Sequence, residues 1–235
     1  MAATIHLLDT FTDTDFVDLD NHAWDTGGDW KGGADWGPGR DEIFGNEARE
    51  ILGAFSAGNY RAGSNGHTPA VGMEAFADLI RDPNGAGLGF NLLVAASGYP
   101  VNEYYTWGMQ MFDATKVDYE FWRESGSGAN EPFTVFQQPL ADGEGLRFGM
   151  TFVTDTTINL WTEPKGGGTR TVHKYGHTVG VSYLDASHQK LGWRKTTAIG
   201  SQHGIDNITL QTPTVKTPVL GRWLGQSVKA GIGRR

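Results

Sequence analysis

Residues 116–123 read Lys-Val-Asp-Tyr-Glu-Phe-Trp-Arg. Apolar and polar side chains alternate here, so Val117, Tyr119 and Phe121 face one way and the polar residues face the other. A period of two is typical of a β-strand with one buried face. We therefore predict a strand over this stretch, paired with a second strand over residues 104–112.

Similar short strands recur along most of the chain after residue 70. The predicted strands cover residues 71–79, 88–96, 133–137, 146–154, 158–163, 170–175, 179–184, 191–198 and 205–211. The 34 glycines follow no collagen-like period and fall between these apolar runs, as expected of strands joined by tight turns. Residues 44–56 fit either a short helix capped by Asn46 or a strand. The pattern as a whole predicts an all-β sandwich of jelly-roll type.

Composition excludes several classes of protein. With 235 residues and 38% hydrophobic content the chain can fill the core of one large β-domain. The net charge of −8 argues against nucleic acid or an anionic membrane as the main partner. The chain has no cysteine, so disulfides, thiolate zinc sites and cysteine nucleophiles are excluded. The first residues show no signal-peptide pattern, and no apolar run is long enough to cross a membrane.

The C-terminal segment differs from the rest of the chain. Residues 213–235 carry a charge of +5 and no acid, which leaves −13 on residues 1–212. Apolar residues interleave with the basic ones, which a purely solvated tail would not need. We predict a sandwich over residues 1–212 and a basic docking arm over 213–235. The predicted docking residues are Lys216, Leu220, Arg222, Trp223, Leu224, Lys229, Arg234 and Arg235.

Two stretches at the ends of the predicted sandwich resemble a known family. Residues 9–14, followed by His22, Asp25 and Trp30, resemble the opening of concanavalin A-like or laminin-G-like domains of phage and bacterial structural proteins. Residues 204–210 resemble the closing strand of that family. The resemblance implies a concanavalin A-like jelly roll whose first and last strands pair.

The same fold carries retaining glucanases, and residues 116–120 resemble part of their motif. Those enzymes place Glu-x-Asp-x-Glu on one strand, which aligns the nucleophile, a tuning aspartate and the acid/base on one face. Asp118 and Glu120 match the second and third positions, but Lys116 stands at the first. Without a nucleophile no glycosyl-enzyme can form. We predict a charge ladder and no enzyme activity.

Tryptophans in a glycine-rich segment offer another kind of site. Trp24, Trp30 and Trp36 recur every six residues. An indole on a loop can stack on a sugar ring, whereas a buried indole can seal the end of a sandwich. The family resemblance makes Trp30 structural, and Trp24 and Trp36 are the candidate glycan-binding residues.

No metal or cofactor is predicted, although one Ca²⁺ alternative stays open. The early aspartates at positions 9, 13, 15, 18 and 20 could supply carboxylates, but their spacing does not match an EF-hand loop. His173 and His177 are four residues apart, about 13 Å on an extended strand, which is too far for one ion unless Gly176 folds the chain back.

These observations predict a phage virion structural protein, assembled in the host cytoplasm. The first hypothesis is a minor tail protein, at the tail tip or baseplate, whose sandwich is displayed on the particle surface and can bind host-surface glycans. Its expected partners are other virion proteins and further copies of itself. The alternatives are a capsid decoration protein, and a carbohydrate-binding module or degenerate glucanase-like protein.

Overall fold

In the computed structural model, β-strands account for most of the described chain. The structure describes residues 2–15, 19, 22–27, 29–35, 40–43, 45–51, 59–64, 67–81, 88–97, 103–111, 115–141, 143–195 and 203–214. Its strands are β1 (Thr4–Asp9), β2 (Asp29–Asp35), β3 (Arg40–Ile43), β4 (Ala48–Ile51), β5 (Asn59–Ser64), β6 (Glu74–Ile80), β7 (Leu88–Ala96), β8 (Tyr104–Met111), β9 (Lys116–Ser125), β10 (Gly128–Pro139), β11 (Gly145–Thr154), β12 (Thr157–Pro164), β13 (Thr171–Thr178), β14 (Lys190–Lys195) and β15 (Gly204–Thr212). Within these ranges, no helix has the length and apolarity needed to span a membrane.

The strands form two antiparallel sheets. The eight-stranded sheet has the order β13-β12-β11-β6-β15-β4-β3, with β1 also paired to β15. The seven-stranded sheet has the order β10-β9-β8-β7-β14-β5-β2. Thr4 of β1 lies opposite Thr212 of β15, so the first and last strands of the sandwich pair as the family resemblance implied. The predicted all-β jelly-roll sandwich is confirmed.

The core lies between the two sheets. Val117, Tyr119 and Phe121 of β9 all point into it, as their alternation predicted. Trp107 of β8 connects the sheets, because its Nε1 donates a hydrogen bond to the backbone carbonyl of Trp161 on β12 at 2.9 Å. A buried indole N–H needs such a partner, since an unpaired polar group in the core is costly.

Strand β6 is buried on both faces. Its outward carboxylates are covered by Arg147 of the neighbouring strand β11 and by Arg170, which precedes β13. Nε of Arg147 lies 2.8 Å from Oδ1 of Asp78, and the Arg147 guanidinium lies 4.6 Å from the centre of the Phe76 ring. Nη2 of Arg170 lies 3.2 Å from Oε2 of Glu74. Paired charges can be buried in this way because each partner neutralises the other.

Two local predictions need correction or completion. Residues 179–184 were predicted to form a strand but do not. Their backbone is held by a side chain instead of by a neighbouring strand, because the Tyr105 hydroxyl donates a hydrogen bond to the carbonyl of Val181 and accepts one from the amide of Tyr183. For residues 44–56 the strand alternative is right over Ala48–Ile51, which forms β4. Asn46 adopts a φ of 59° in the turn between β3 and β4, so it does not cap a helix.

Candidate functional site

The N-terminal family motif forms a buried structural cluster. The carboxylate of Asp9 is fully buried, accepts hydrogen bonds from the Trp30 indole N–H and the Phe11 amide, and contacts His22 at 2.8 Å. Asp25 accepts a bond from the Thr10 amide at 2.9 Å. The motif residues therefore hold the end of the sandwich closed, and Trp30 has the structural position that the resemblance implied.

Trp24, one of the two predicted glycan-binding tryptophans, packs into this cluster. Trp24 is only 7% exposed and packs against Trp30, with ring centres 4.8 Å apart. Its indole belongs to the core, which corrects its interpretation as an exposed sugar platform, because a stacking sugar needs an open ring face. Trp36 lies outside the described residues, as do the predicted docking residues of the arm from Lys216 to Arg235.

Neither candidate metal site is supported by the described part of the chain. Oδ1 of Asp15 accepts a bond from the Gly45 amide at 2.8 Å, Asp13 accepts one from the Thr14 amide, and Asp18 and Asp20 lie outside the described residues. His173 bonds to a threonine hydroxyl and His177 to a backbone carbonyl. No group of three potential metal-binding side chains occurs among the residues described.

Polar residues instead line the outer face of the seven-stranded sheet. Arg194, Asn91, Gly108, Glu120 and Thr134 lie directly opposite one another across strands β14, β7, β8, β9 and β10. We call these five residues the Glu120 row. Because the neighbours of Glu120 along β9 point into the core, its carboxylate faces outward.

Glu120 is half-buried and lies in an acidic environment. Burial raises the pKa of its carboxyl, and the negative charge of Asp118 raises it further. Gln110 of β8, once its amide is oriented for hydrogen bonding, donates from Nε2 to Oε1 of Glu120 at 2.9 Å. Glu120 is therefore held in place by one neutral donor, beside a second carboxylate.

One member of the row, Asn91, has a side-chain amide without a hydrogen-bond partner. Asn91 is 1% exposed, and neither its Oδ1 nor its Nδ2 has a hydrogen-bond partner. Its side chain lies over Gly108, where an added Cβ would come 2.7 Å from Oδ1 of Asn91. Because residue 108 is glycine, the side-chain amide of Asn91 has room to lie over it. An unsatisfied buried amide is rare and needs an explanation.

An aromatic side chain flanks the row. Trp122 follows Glu120 on the same face of β9 and is partly buried. The Arg194 guanidinium lies 5.1 Å from the centre of a Trp122 ring, within range of a cation–π interaction. Burial raises the pKa of the nearby Glu124 carboxyl, and the charge of Arg194 and the Trp122 indole act against that rise. Aromatic and hydrogen-bonding groups thus share one surface.

Sequence reasoning found part of this surface. It placed Lys116, Asp118, Glu120 and Trp122 on one outward face, which the alternating burial of β9 confirms. It did not single out Asn91, which stands in the run Phe-Asn-Leu-Leu-Val of β7. One polar residue in an apolar strand was the available signal, but only cross-strand register places it in one row with Glu120.

Solved structures share this architecture. The chain is similar to the carbohydrate-binding module CBM66 from Bacillus subtilis, with 10% sequence identity and a TM-score of 0.53 over 77% of this chain and 95% of that one. It is also similar to a GlcNAcα1-4Gal-releasing endo-β-galactosidase from Clostridium perfringens, with 9% identity and a TM-score of 0.51 over 91% of this chain and 64% of that one. At such identities the likeness shows a shared fold, the concanavalin A-like jelly roll, and nothing more.

No protein-family model matches the sequence, and no curated protein matches it.

Proposed function

We propose that this protein is a carbohydrate-binding β-sandwich and that the outer face of its seven-stranded sheet holds the glycan. The observation that carries the proposal is the buried, unpartnered amide of Asn91 in the same cross-strand row as the half-buried carboxylate of Glu120, with Gly108 between them. Sugar hydroxyls both donate and accept hydrogen bonds, so they can satisfy an amide and a carboxylate together. The similarity in fold to a carbohydrate-binding module supports this class.

Trp122 supplies the second element that a sugar site needs. Saccharides present apolar C–H faces as well as hydroxyls, and an aromatic ring beside fixed polar groups suits both. Trp122 is partly exposed and stands next to the Glu120 row, whereas the indole of Trp24 is buried. Trp122 therefore replaces Trp24 as the proposed aromatic contact.

We also propose that the site binds a glycan without cleaving it. Lys116 occupies the position where glucanases of this fold carry their nucleophile, and a lysine cannot form the glycosyl ester that retention requires. Incubation with β-glucans and β-galactans, followed by a reducing-sugar assay, is expected to show no release above a heat-denatured control. Release that disappears in Glu120→Gln would contradict this proposal.

Glycan-array screening, followed by titration calorimetry on the best ligand, tests the binding function. Glu120→Gln and Trp122→Ala are each expected to raise Kd by about tenfold or more, equivalent to about 1.4 kcal/mol. The matched control is Tyr175→Ala, which removes a 74% exposed aromatic from β13 of the opposite sheet. Tyr175→Ala should leave Kd within about twofold.

Two results would oppose the proposal in different ways. Absence of binding to any glycan would overturn the function itself. Binding that neither Glu120→Gln nor Trp122→Ala weakens would place the site elsewhere on the molecule. The phage-virion hypothesis has no support from the comparisons and stays a prediction from sequence, as does assembly in a host cytoplasm.

A further inference from the structure

Two histidines of strand β13 point into the core of the sandwich. The centre of the His173 ring lies 5.3 Å from that of Tyr119 and 6.1 Å from that of Trp107. The centre of the His177 ring lies 4.8 Å from that of Phe121, and His177 is only 9% exposed. The two imidazoles therefore occupy positions that apolar side chains fill in an ordinary strand with one buried face.

His177 also helps to close one side of the sandwich. β13 ends the eight-stranded sheet, and β10 ends the seven-stranded sheet. His177 donates a hydrogen bond from Nε2 to the backbone carbonyl of Glu131 on β10 at 2.9 Å, and its ring centre lies 6.1 Å from that of Phe133. The Lys174 ammonium lies 5.5 Å from the centre of the Phe133 ring. We call these contacts of Lys174 and His177 with Glu131 and Phe133 the β10–β13 seam.

Strand β13 is held by an irregular ladder on one side only. It pairs with β12 alone, and the register between the two strands shifts at two places. Gly176 has a φ of 60°, and its amide donates to the side-chain oxygen of Asn159. An edge strand with an interrupted ladder opens at a lower free energy than a strand paired on both sides.

The surroundings of His173 favour its neutral form. Burial lowers the pKa of His173. Its neighbour Tyr119 stays uncharged, because burial raises the pKa of that phenol to about 12. Nε2 of His173 lies 2.8 Å from the Thr162 hydroxyl on β12, which is also uncharged. A proton added to His173 therefore meets no carboxylate among Tyr119, Trp107 and Thr162.

The surroundings of His177 have the same overall effect. Burial lowers the pKa of His177, the backbone bond and the charge of Glu131 oppose the change, and the charge of Lys174 adds to it. The Glu131 carboxylate is itself paired with Arg123, whose Nε lies 2.6 Å from Oε2 of Glu131. The charged neighbours of His177 are thus one carboxylate and two cations.

We propose that the β10–β13 seam opens reversibly in acid and that His173 and His177 are the groups that respond to pH. Protonation of both would place two charges against aromatic rings, and separation of β13 from the core lets water solvate them. A histidine in the open strand has the ordinary pKa of about 6.5, above its value in the closed strand, so opening takes up protons. Opening therefore increases as pH falls below about 6.5, and it exposes the edge of β12.

Native-state hydrogen exchange at pH 7.5 and pH 5.5 tests the proposal, with each rate divided by the rate of an unstructured amide at the same pH. The protection of β13 amides is expected to fall about tenfold or more in acid, because each histidine can contribute up to about tenfold for each pH unit. The amides of β7 and β8, which are paired on both sides, should lose much less protection.

Glutamine variants connect the response to the two imidazoles. Glutamine keeps a hydrogen-bonding side chain that does not titrate, so a double variant with His173→Gln and His177→Gln should show the same β13 protection at both pH values within about twofold. The matched control is His6→Gln, which removes a histidine of β1 that bonds to Thr212, and it should leave the acid response of β13 unchanged.

Three results would overturn the proposal. Protection of β13 that does not fall in acid would show that the seam stays closed. A parallel fall in β7 and β8 would show global acid unfolding in place of local opening. An acid response that persists in the double variant would assign it to other groups. If the double variant does not fold, NMR titration of the unmodified protein decides, because midpoints of 6.5 or above for His173 and His177 would also overturn the proposal.

Discussion

His22 and Asp9 form a buried ion pair at the end of the sandwich, with Nε2 of His22 2.8 Å from Oδ1 of Asp9. Both side chains are almost completely inaccessible to solvent. Burial alone would lower the pKa of His22, but hydrogen bonds and charge from Asp9, and to a smaller degree from Asp13, raise it overall. The pair holds the segment before β2 against the end of β1.

Replacing His22 should destabilise the fold in a pH-dependent way. His22→Ala leaves the buried carboxylate of Asp9 without its cation, which costs about 3 kcal/mol. Because the folded-state pKa of His22 is raised, its stabilising charge is fully present below the unfolded-state pKa of about 6.5 and is lost as pH rises through the folded value. Urea unfolding should therefore show a larger loss at pH 5.5 than at pH 8.5.

A second variant provides the comparison for this experiment. Asp13 is exposed and lies 3.5 Å from Nδ1 of His22, so Asp13→Asn should change stability much less than His22→Ala. A pH-independent loss in His22→Ala would show that packing, and not charge, is what the imidazole contributes.

Asp206 should make the protein less stable as pH rises from 4 to 6. Burial, together with Asp78 and Glu47, raises its pKa from 3.8 to about 6, against the opposing charge of Lys165. A carboxyl with a raised folded-state pKa binds its proton more tightly in the folded state, so its ionisation favours unfolding. Relative to the unmodified protein, Asp206→Asn should therefore gain about 1–2 kcal/mol between pH 4 and pH 7.5, after allowance for partial exposure.

Denaturant titrations of both proteins across this pH range measure the gain. Asp155→Asn in the exposed β11–β12 turn is the matched control and should give a flat difference. A flat difference for Asp206→Asn as well would mean that solvent reaches this carboxyl freely.

Gly149 is needed because Trp161 lies over it. A Cβ at position 149 would overlap the Cζ2 and Cη2 atoms of the Trp161 indole, and the Arg170 guanidinium lies 3.5 Å from the ring centre. Gly149→Ala should cost about 1–3 kcal/mol, the usual range for overpacking. In a Trp161→Leu background the same substitution should cost much less, and a double-mutant cycle with chemical denaturation measures the coupling. If the free-energy costs of Gly149→Ala and Trp161→Leu are additive, the contact with Trp161 is not the reason for glycine at position 149.

Removal of residues 215–235 tests the docking-arm hypothesis. The last strand of the sandwich, β15, ends at Thr212, so the truncated chain should unfold within about 0.5 kcal/mol of the full chain. If the arm anchors the protein to a larger particle, the truncated chain should stay monomeric and be absent from purified particles. Truncated protein found in particles at normal occupancy would contradict the arm hypothesis.

The sequence by itself determined the class of fold and the faces of its strands. Alternation between Val117, Tyr119 and Phe121 is a local property, because successive side chains of a strand point to opposite sides whatever the sheet around them. The resemblance of the N-terminal motif likewise identified Trp30 as structural, and in the structure its indole donates a hydrogen bond to Asp9. These features could be predicted because each depends on nearby residues or on a recognisable motif.

Only the tertiary structure decided which distant residues share a surface. Asn91 and Glu120 are 29 positions apart in sequence, and cross-strand register places them in one row on either side of Gly108. Burial of Trp24 also depends on Trp30 and the surrounding core, although both indoles stand in the same glycine-rich stretch. Register and packing arise from contacts across the whole sandwich, so a pattern along one strand does not contain them.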